Sequence, residues 1–567
     1  MGGFLAVFVF VFSWLFRFND PNGSFAGMTD DHFFYVVRGW QILFGDVPVR
    51  DFVDHGAPLY YYVAATVQWV GGRGTFSEIA FSVTMLALGA ALTFCIAARA
   101  SGSLIAGLGG AAVQVLLEPR FYNYPKILAY AVGLALLWRF VDAPSRGRLF
   151  AFAAATAVAF LLRHDHGVFL AASTVALVLL VGAFSWRDRL RHLVVYGAFV
   201  AALLAPYAVF VQMNGGVVSY WQQAQDWAER DRLREPVVWP GLFDFPNGRS
   251  EATTSAEGVG RTVAVVRDNA IAWMFYAELA LPFAALLVLP LLQHGARPDW
   301  PHAGPKIAAV AVLGIALNAG FLRSPLGPRL ADPSVPHAIL LAWLAATAVR
   351  ATLRRELVRA PFRRAQPAVA SLLLALTAAF VVVFGVGLTR GIHDRLDSSS
   401  MLEGAWTSVR KAAYMAGVYR TYWPLERWAP EDASGPVQLA RYLRACTAPT
   451  DRVLLQHYMP QVHALADRAF AGGHADLRPG FFKTEEAQRL TIARLEGQSV
   501  PLILLETGDA LANFHESFPL ISAYLEREYE PAGEREIDDR YAVHLLAHRD
   551  RVPTGRYPPF DWPCYFR

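Results

Sequence analysis

Eleven segments of this chain are apolar over lengths that belong in a bilayer, and they constrain its fold more than any motif does. They run Gly2–Phe18, Glu78–Ala98, Gly102–Leu117, Ile127–Val141, Phe150–Leu162, Phe169–Phe184, Leu193–Met213, Ala272–Leu292, Ile307–Leu322, Ala338–Ala351 and Pro367–Leu388. A hydrocarbon core is crossed by roughly 20 apolar residues of helix, and lipid leaves the backbone no partner outside a helix or a closed barrel. Only 17% of residues are charged and the mean hydropathy is +0.30. Soluble domains carry about 25% charge, so lipid must solvate most of this chain. The pattern predicts a polytopic α-helical membrane protein of about eleven transmembrane helices over residues 1–390. A C-terminal extracytoplasmic α/β domain is expected over residues 391–567.

The basic residues orient these spans. With the N-terminus in the cytoplasm, every second loop carries an arginine or lysine: Arg99; Arg139, Arg146 and Arg148; Arg187, Arg189 and Arg191; Arg297 and Lys306; then Arg350, Arg354, Arg355, Arg359, Arg363 and Arg364. Cytoplasmic loops concentrate positive charge in this way. An odd number of spans then places the C-terminal domain outside. The first segment has no basic leader and no small-residue cleavage site, so it is expected to remain as an anchor. The expectation is a protein of the cytoplasmic (inner) membrane with its active site on the extracytoplasmic side. The net charge of +4 follows from these loops, and no nucleic-acid surface is implied.

Residues 19–77 form the first outer loop. Within it, Asp31–Leu43 and Pro58–Val70 carry aromatics at helical spacing, which suggests helices lying in the membrane interface. The loop 214–269 is rich in aromatics (Trp221, Trp227, Trp239, Phe243 and Phe245) and reads first as a membrane-resting lid, with a platform for sugar rings as the alternative. After residue 391 strand and helix patterns alternate: strands at Arg452–Gln456, Leu502–Leu505 and Ala542–Leu546, and helices at Glu485–Glu496 and Pro519–Glu528. Cys95 lies inside a span, where packing is its expected role. Cys446 and Cys564 share the oxidising side, and whether they are bonded stays open.

An acidic pair, Asp30–Asp31, opens the first outer loop. Aspartate caps helices well and suits the positive end of a helix dipole, so the pair has a purely structural reading. Its company favours a functional one. The outer turns PRFYNYPK (119–126), RHDHG (163–167) and 323–337 bring Arg120 and Lys126, Arg163 with His164 and Asp165, and Arg323 to the same side. Ionisable groups at the edge of a bilayer are functional candidates, and guanidinium and ammonium groups pair well with phosphate. A metal held by His164, Asp165 and His166 would need three contiguous ligands on one turn, a poor geometry. No cofactor motif is present, and a divalent metal stays an open alternative.

The run Asp30-Asp31-His32-Phe33-Phe34-Tyr35, the turn Gly45-Asp46-Val47-Pro48 and the segment His55-Gly56-Ala57-Pro58-Leu59-Tyr60 resemble GT-C-fold glycosyltransferases that use polyprenyl-phosphate sugars, such as protein O-mannosyltransferases and lipid A aminoarabinose transferases. The motif likeness covers about 70 residues and the architectural likeness residues 1–390. It implies an inverting transfer from a polyprenyl-phosphate sugar to a lipid, glycan or protein acceptor outside the cytoplasm. Asp30 would then be the general base and Asp31 its partner. His55, Arg120, Lys126, Arg163, His164, Asp165 and Arg323 would contact the donor phosphate or the substrate. The chain departs from the pattern in having Asp31 where the family has Glu. It also has no lysine at the phosphate position, and His55 sits one position early. The alternative is a transporter or flippase of lipid-linked sugars, which would need the cations but no base.

Overall fold

The computed structural model describes all residues except 21–29, 235–237, 247–257, 293–299, 323–326, 354–363, 390–391, 422–434, 539–540 and 567. Arg323 and most of the basic cluster at 354–363 therefore lie outside the described residues. Of the eleven expected spans, eight coincide with helices of 18 residues or more that are apolar enough to cross a membrane: Gly2–Asn19, Thr75–Ser101, Phe121–Asp142, Trp186–Met213, Ala270–Leu291, Ala303–Phe321, Ser334–Leu353 and Gln366–Thr389. The other three coincide with the shorter helices Leu104–Leu116, Arg146–Leu162 and His164–Leu180. The chain is an integral membrane protein with a mixed sheet in its C-terminal part.

Two compact units divide the chain. The first comprises 1–24, 82–206 and 231–412 and holds most of the apolar helices. Its helices pack closely through small residues, as membrane helices must when lipid is as apolar as their own side chains. A Cβ on Gly110 would stand 2.7 Å from the Ala338 carbonyl oxygen. Three helix ends are tied by one carboxylate: Asp142 accepts from Arg99 at 2.8 Å and also binds Lys306. Arg350 donates to the Ser101 carbonyl at 2.6 Å. Cys95, expected to pack, is instead exposed, because the described residues leave its side of the helix Thr75–Ser101 uncovered.

The second unit comprises 25–81, 207–230 and 413–567, so the first outer loop folds together with the C-terminal residues. Its centre is a five-stranded sheet: β1 Arg452–Leu455, β2 Ala469–Phe470, β3 Leu502–Glu506, β4 Tyr529–Asp538 and β5 Tyr541–His548, in the order β2-β1-β3-β5-β4. β1 runs parallel to β2 and β3, and β5 antiparallel to β3 and β4. Alternation sorts the strands' side chains. Val453, Leu455, Leu502, Leu504, Val543 and Leu545 enter one core with helices Gly435–Cys446 and Pro460–Ala466. Leu454, Ile503, Leu505 and Leu546 enter the other, with helices Glu485–Glu496, Asp509–Ser517 and Pro519–Glu528. The predicted strands and helices of this region all fall on these elements. Cys446 and Cys564 are disulfide-bonded with their Cα atoms 4.3 Å apart.

The outer loop docks on the edge strand β2. Gln41 pairs with it as a further strand would: its Nε2 donates to the Phe470 carbonyl and its Oε1 accepts from the Phe470 N–H, both at 3.1 Å. Asp46 then receives both Nη atoms of Arg452, at 2.6 and 3.0 Å. Helices Asp30–Leu43 and Pro58–Gly71 pack on one another and bury Phe33, Val36, Val37, Trp40, Tyr60 and Tyr61. Those aromatics form a protein core here, whereas their spacing alone suggested helices resting in the interface.

Candidate functional site

The acidic pair occupies the first turn of helix Asp30–Leu43, where the unpaired N–H groups and the helix dipole favour negative charge. Asp31 Oδ1 also accepts from the Tyr458 hydroxyl at 3.0 Å. A residue more than four hundred positions downstream thus orients the second carboxylate. The Asp30 side chain is outside the described residues. His32, next in sequence, is buried and pairs with Glu78 at 3.2 Å, so it serves as a hydrogen-bonding residue of the loop.

His55 is placed by the residue before it. Asp54 Oδ1 accepts from the N–H groups of Gly56 and Ala57, both at 2.9 Å. Its Oδ2 accepts from the hydroxyls of Tyr207 at 2.6 Å and Tyr220 at 2.8 Å. Four donors on one carboxylate fix the His-Gly-Ala-Pro turn, and Gly56 takes its positive φ of 83° without the penalty a Cβ would bring. Pro58 then opens the next helix at a position suited to proline.

Around the His55 imidazole stand Trp227, Phe34 and Phe482, with ring centroids 4.2, 5.1 and 5.9 Å away. Phe482 holds a φ of +52°, a left-handed conformation that is strained for a bulky side chain and occurs where surrounding contacts impose it. Two guanidinium groups lie one ring beyond. Arg38 sits 3.5 Å over the Phe34 ring. Arg478 lies 5.2 Å from the Trp227 ring centroid and 4.5 Å from that of Tyr458. Burial first, and then the charges of Arg38, Arg478 and His474, hold His55 well below the usual imidazole range. His55 is therefore neutral at pH 7, in a field that is positive on balance.

In the first unit a second polar cluster forms. Lys126 Nζ binds Asp332 Oδ2 at 2.5 Å, and Asn123 binds the other oxygen at 3.0 Å. Arg163 grips Asp165 through Nε at 2.7 Å and through Nη2, and Asp165 also meets His166 at 3.1 Å. Tyr130 hydrogen-bonds His166 at 2.9 Å. Lys126 lies within electrostatic reach of Arg163 and Asp165, so three residues singled out from sequence do come together. RHDHG is a single extended residue, Arg163, followed by the first turn of the helix that starts at His164. His164 turns back onto its neighbouring helix, where its Nδ1 meets the Phe160 carbonyl at 2.9 Å and its ring stacks on Phe160. Arg120 donates to the Tyr122 hydroxyl at 3.2 Å.

Trp227 stood out in the sequence only as a loop aromatic, and Arg38, Asp54, Tyr207, Tyr220, Tyr458, Arg478 and Phe482 drew no functional assignment. The last three come from the C-terminal residues. The tyrosines 207 and 220 come from a loop boundary whose partner is distant in sequence. A further omission is Glu278, fully buried and 3.6 Å from the equally buried His337; a lone glutamate inside an apolar span was the available signal.

No protein-family model and no curated protein sequence matches the chain. Among solved structures, the chain is similar to ArnT from Cupriavidus metallidurans bound to undecaprenyl phosphate. The identity is 14% over 96% of this chain and 97% of that one, with a TM-score of 0.45. The apo state of that protein aligns at the same identity and coverage with a TM-score of 0.42. Both scores lie below 0.5, so the functional reading rests on the residues of this chain.

Proposed function

We propose that this chain is a membrane glycosyltransferase of the GT-C kind. It would move a sugar from a polyprenyl-phosphate donor to an acceptor on the extracytoplasmic side of the cytoplasmic membrane, with inversion. The observation that carries the reading is the acidic pair at a helix N-terminus, its second member oriented by Tyr458, beside a turn that presents a neutral imidazole among aromatic rings. The motif likeness of the first 70 residues supports it.

In the proposed step the acceptor hydroxyl oxygen attacks the anomeric carbon. Its proton passes to the Asp30 carboxylate as general base. The bond from the anomeric carbon to the phosphate oxygen breaks, and the electron pair leaves on the polyprenyl phosphate. That leaving group needs no proton, only cations nearby. Asp31 would support Asp30 or hold the acceptor. Adjacent carboxylates on one helical turn do not present the opposed pair that glycosidases use.

Asp30→Asn tests the assignment. Purified membranes should release free polyprenyl phosphate from a polyprenyl-phosphate sugar only with the native residue. The variant should lose transfer by roughly 100-fold or more while folding normally. Full activity in Asp30→Asn membranes would end the reading. Movement of intact lipid-linked sugar across the bilayer without release of polyprenyl phosphate would mark a transporter.

A further inference from the structure

The helix Ala405–Thr421 carries three basic residues, Arg410, Lys411 and Arg420, and no acidic one. Trp406, Val409, Arg410 and Ala413 recur at the spacing of one helical face, and all four are exposed. Leu402, in the turn just before the helix, and Tyr414 extend that face. Trp406 is 72% exposed and Tyr414 69%. Ser408, Met415 and Tyr419, on the opposite face, are buried. The helix Glu485–Glu496 does the reverse, turning Glu485, Glu486, Arg489 and Glu496 outward, as contact with water favours. Single exposed apolar residues are ordinary, but an apolar patch edged with polar groups marks an interaction surface.

The level of this face is set by the apolar helices. Asn19, the buried last residue of helix Gly2–Asn19, donates through Nδ2 to the Ser408 carbonyl at 2.8 Å and to the Ser399 carbonyl at 3.3 Å. Ser398 Oγ donates to Asp20 at 3.1 Å, and Lys411 returns to the Ser398 carbonyl. Arg395 pairs at 2.5 Å with Glu118, which lies just past the apolar helix Leu104–Leu116. Helix Ile392–Ser398 itself follows closely on the span Gln366–Thr389. The ends of three apolar helices therefore hold the start of Ala405–Thr421, which puts Trp406 where those helices leave the bilayer. Tryptophan and tyrosine settle at the headgroup level, and arginines on such a helix reach lipid phosphates.

We propose that the face formed by Leu402, Trp406, Val409 and Arg410 rests in the bilayer surface and binds anionic phospholipid headgroups. Its aromatic and aliphatic side chains enter the interface, and Arg410 meets the phosphates. The level fixed by Asn19 favours lipid over a protein partner, because headgroups already surround the ends of the spans. Contact with lipid thus continues past the last apolar helix. The inference is independent of the glycosyltransferase reading and holds equally for a transporter.

The full chain carrying Cys95→Ala and Val409→Cys, labelled with an environment-sensitive fluorophore in phosphatidylcholine vesicles, tests this. Cys446 and Cys564 are bonded to one another, so the label enters at 409 alone. A lipid with a nitroxide near its headgroup should quench this label at least roughly 3-fold more strongly than a label at Arg489→Cys. Replacing about a third of the lipid with phosphatidylglycerol should deepen the quenching. Arg410→Glu should cancel that gain, and Trp406→Ala should lower the quenching in both lipid mixtures. Both substitutions fall on exposed side chains, and an unchanged elution volume in detergent checks that the variants fold. Equal quenching at 409 and 489 overturns the proposal. So does a label at 409 that is shielded from iodide on both sides of the membrane yet untouched by the nitroxide lipid; that result would make a second copy or another protein the occupant. Quenching at 409 that ignores both phosphatidylglycerol and Arg410→Glu overturns the choice of anionic headgroups.

Discussion

At the scale of single residues, the chain buries ionisable side chains in a few places, and each can be tested by what its removal does. Glu278 and His337 face one another with both side chains fully buried, and their side-chain polar atoms have no hydrogen-bond partner among the described residues. Removing one member of a buried polar pair strands the other and costs about 1–3 kcal/mol, whereas replacing both by apolar groups of similar shape is often neutral or stabilising. His337→Leu should therefore lower the unfolding midpoint in detergent sharply, and the Glu278→Leu/His337→Leu double variant should return close to the native value. A double variant less stable than the single one would show that the pair does more than neutralise itself. The acidic pair Asp30–Asp31 was legible because two adjacent carboxylates after an apolar segment are rare. Arg38 stood in the same run without drawing an assignment, since an arginine at helical spacing looks solvated until its burial is known.

At the scale of elements, the second unit should be sensitive to acid. His463 lies in the helix Pro460–Ala466 and gives its Nε2 to the Ala475 carbonyl at 3.1 Å, and His474 meets Thr491 at 3.0 Å. Burial pushes them down to about 4 and about 3, from roughly 6.5 in an unfolded chain. Between those values the unfolded state binds protons that the folded state refuses. Stability is then complete above about pH 6.5 and falls as pH drops toward 4, by up to about 1.4 kcal/mol per pH unit for each histidine. Limited proteolysis of the full chain at pH 7.5 and pH 5 should show faster cutting of the C-terminal region in acid. The His463→Asn/His474→Asn double variant should flatten that difference, and an undiminished acid effect would remove these histidines as its cause. The disulfide works in the other direction: closing a loop across 118 residues is worth about 4–5 kcal/mol in the chain-entropy account.

At the scale of the whole molecule, the orientation proposed from charge is directly measurable. Arg146→Cys and Asp550→Cys place a thiol on exposed residues of the two regions assigned to opposite sides. A membrane-impermeant maleimide applied to intact cells should label the Asp550→Cys chain, and the Arg146→Cys chain only after permeabilisation. The reverse pattern would invert the topology and move the proposed active site to the cytoplasm.

The amino-acid sequence by itself determined where the chain leaves water and where it alternates as strand and helix. Those properties follow from the apolar length of a segment and from side-chain periods of 3.6 and 2, and both are local. It also marked Asp30, Asp31 and His55 as chemistry-bearing. Only the tertiary structure decided their company. Tyr458 reaches Asp31, Asp54 is clamped by Tyr207 and Tyr220, and Arg478 stands one ring from His55. The same packing shows which cations are already committed, with Lys126 on Asp332 and Arg163 on Asp165. A charge along a chain has no partner until folding brings one within a few ångströms, and most of those partners lie far along the chain.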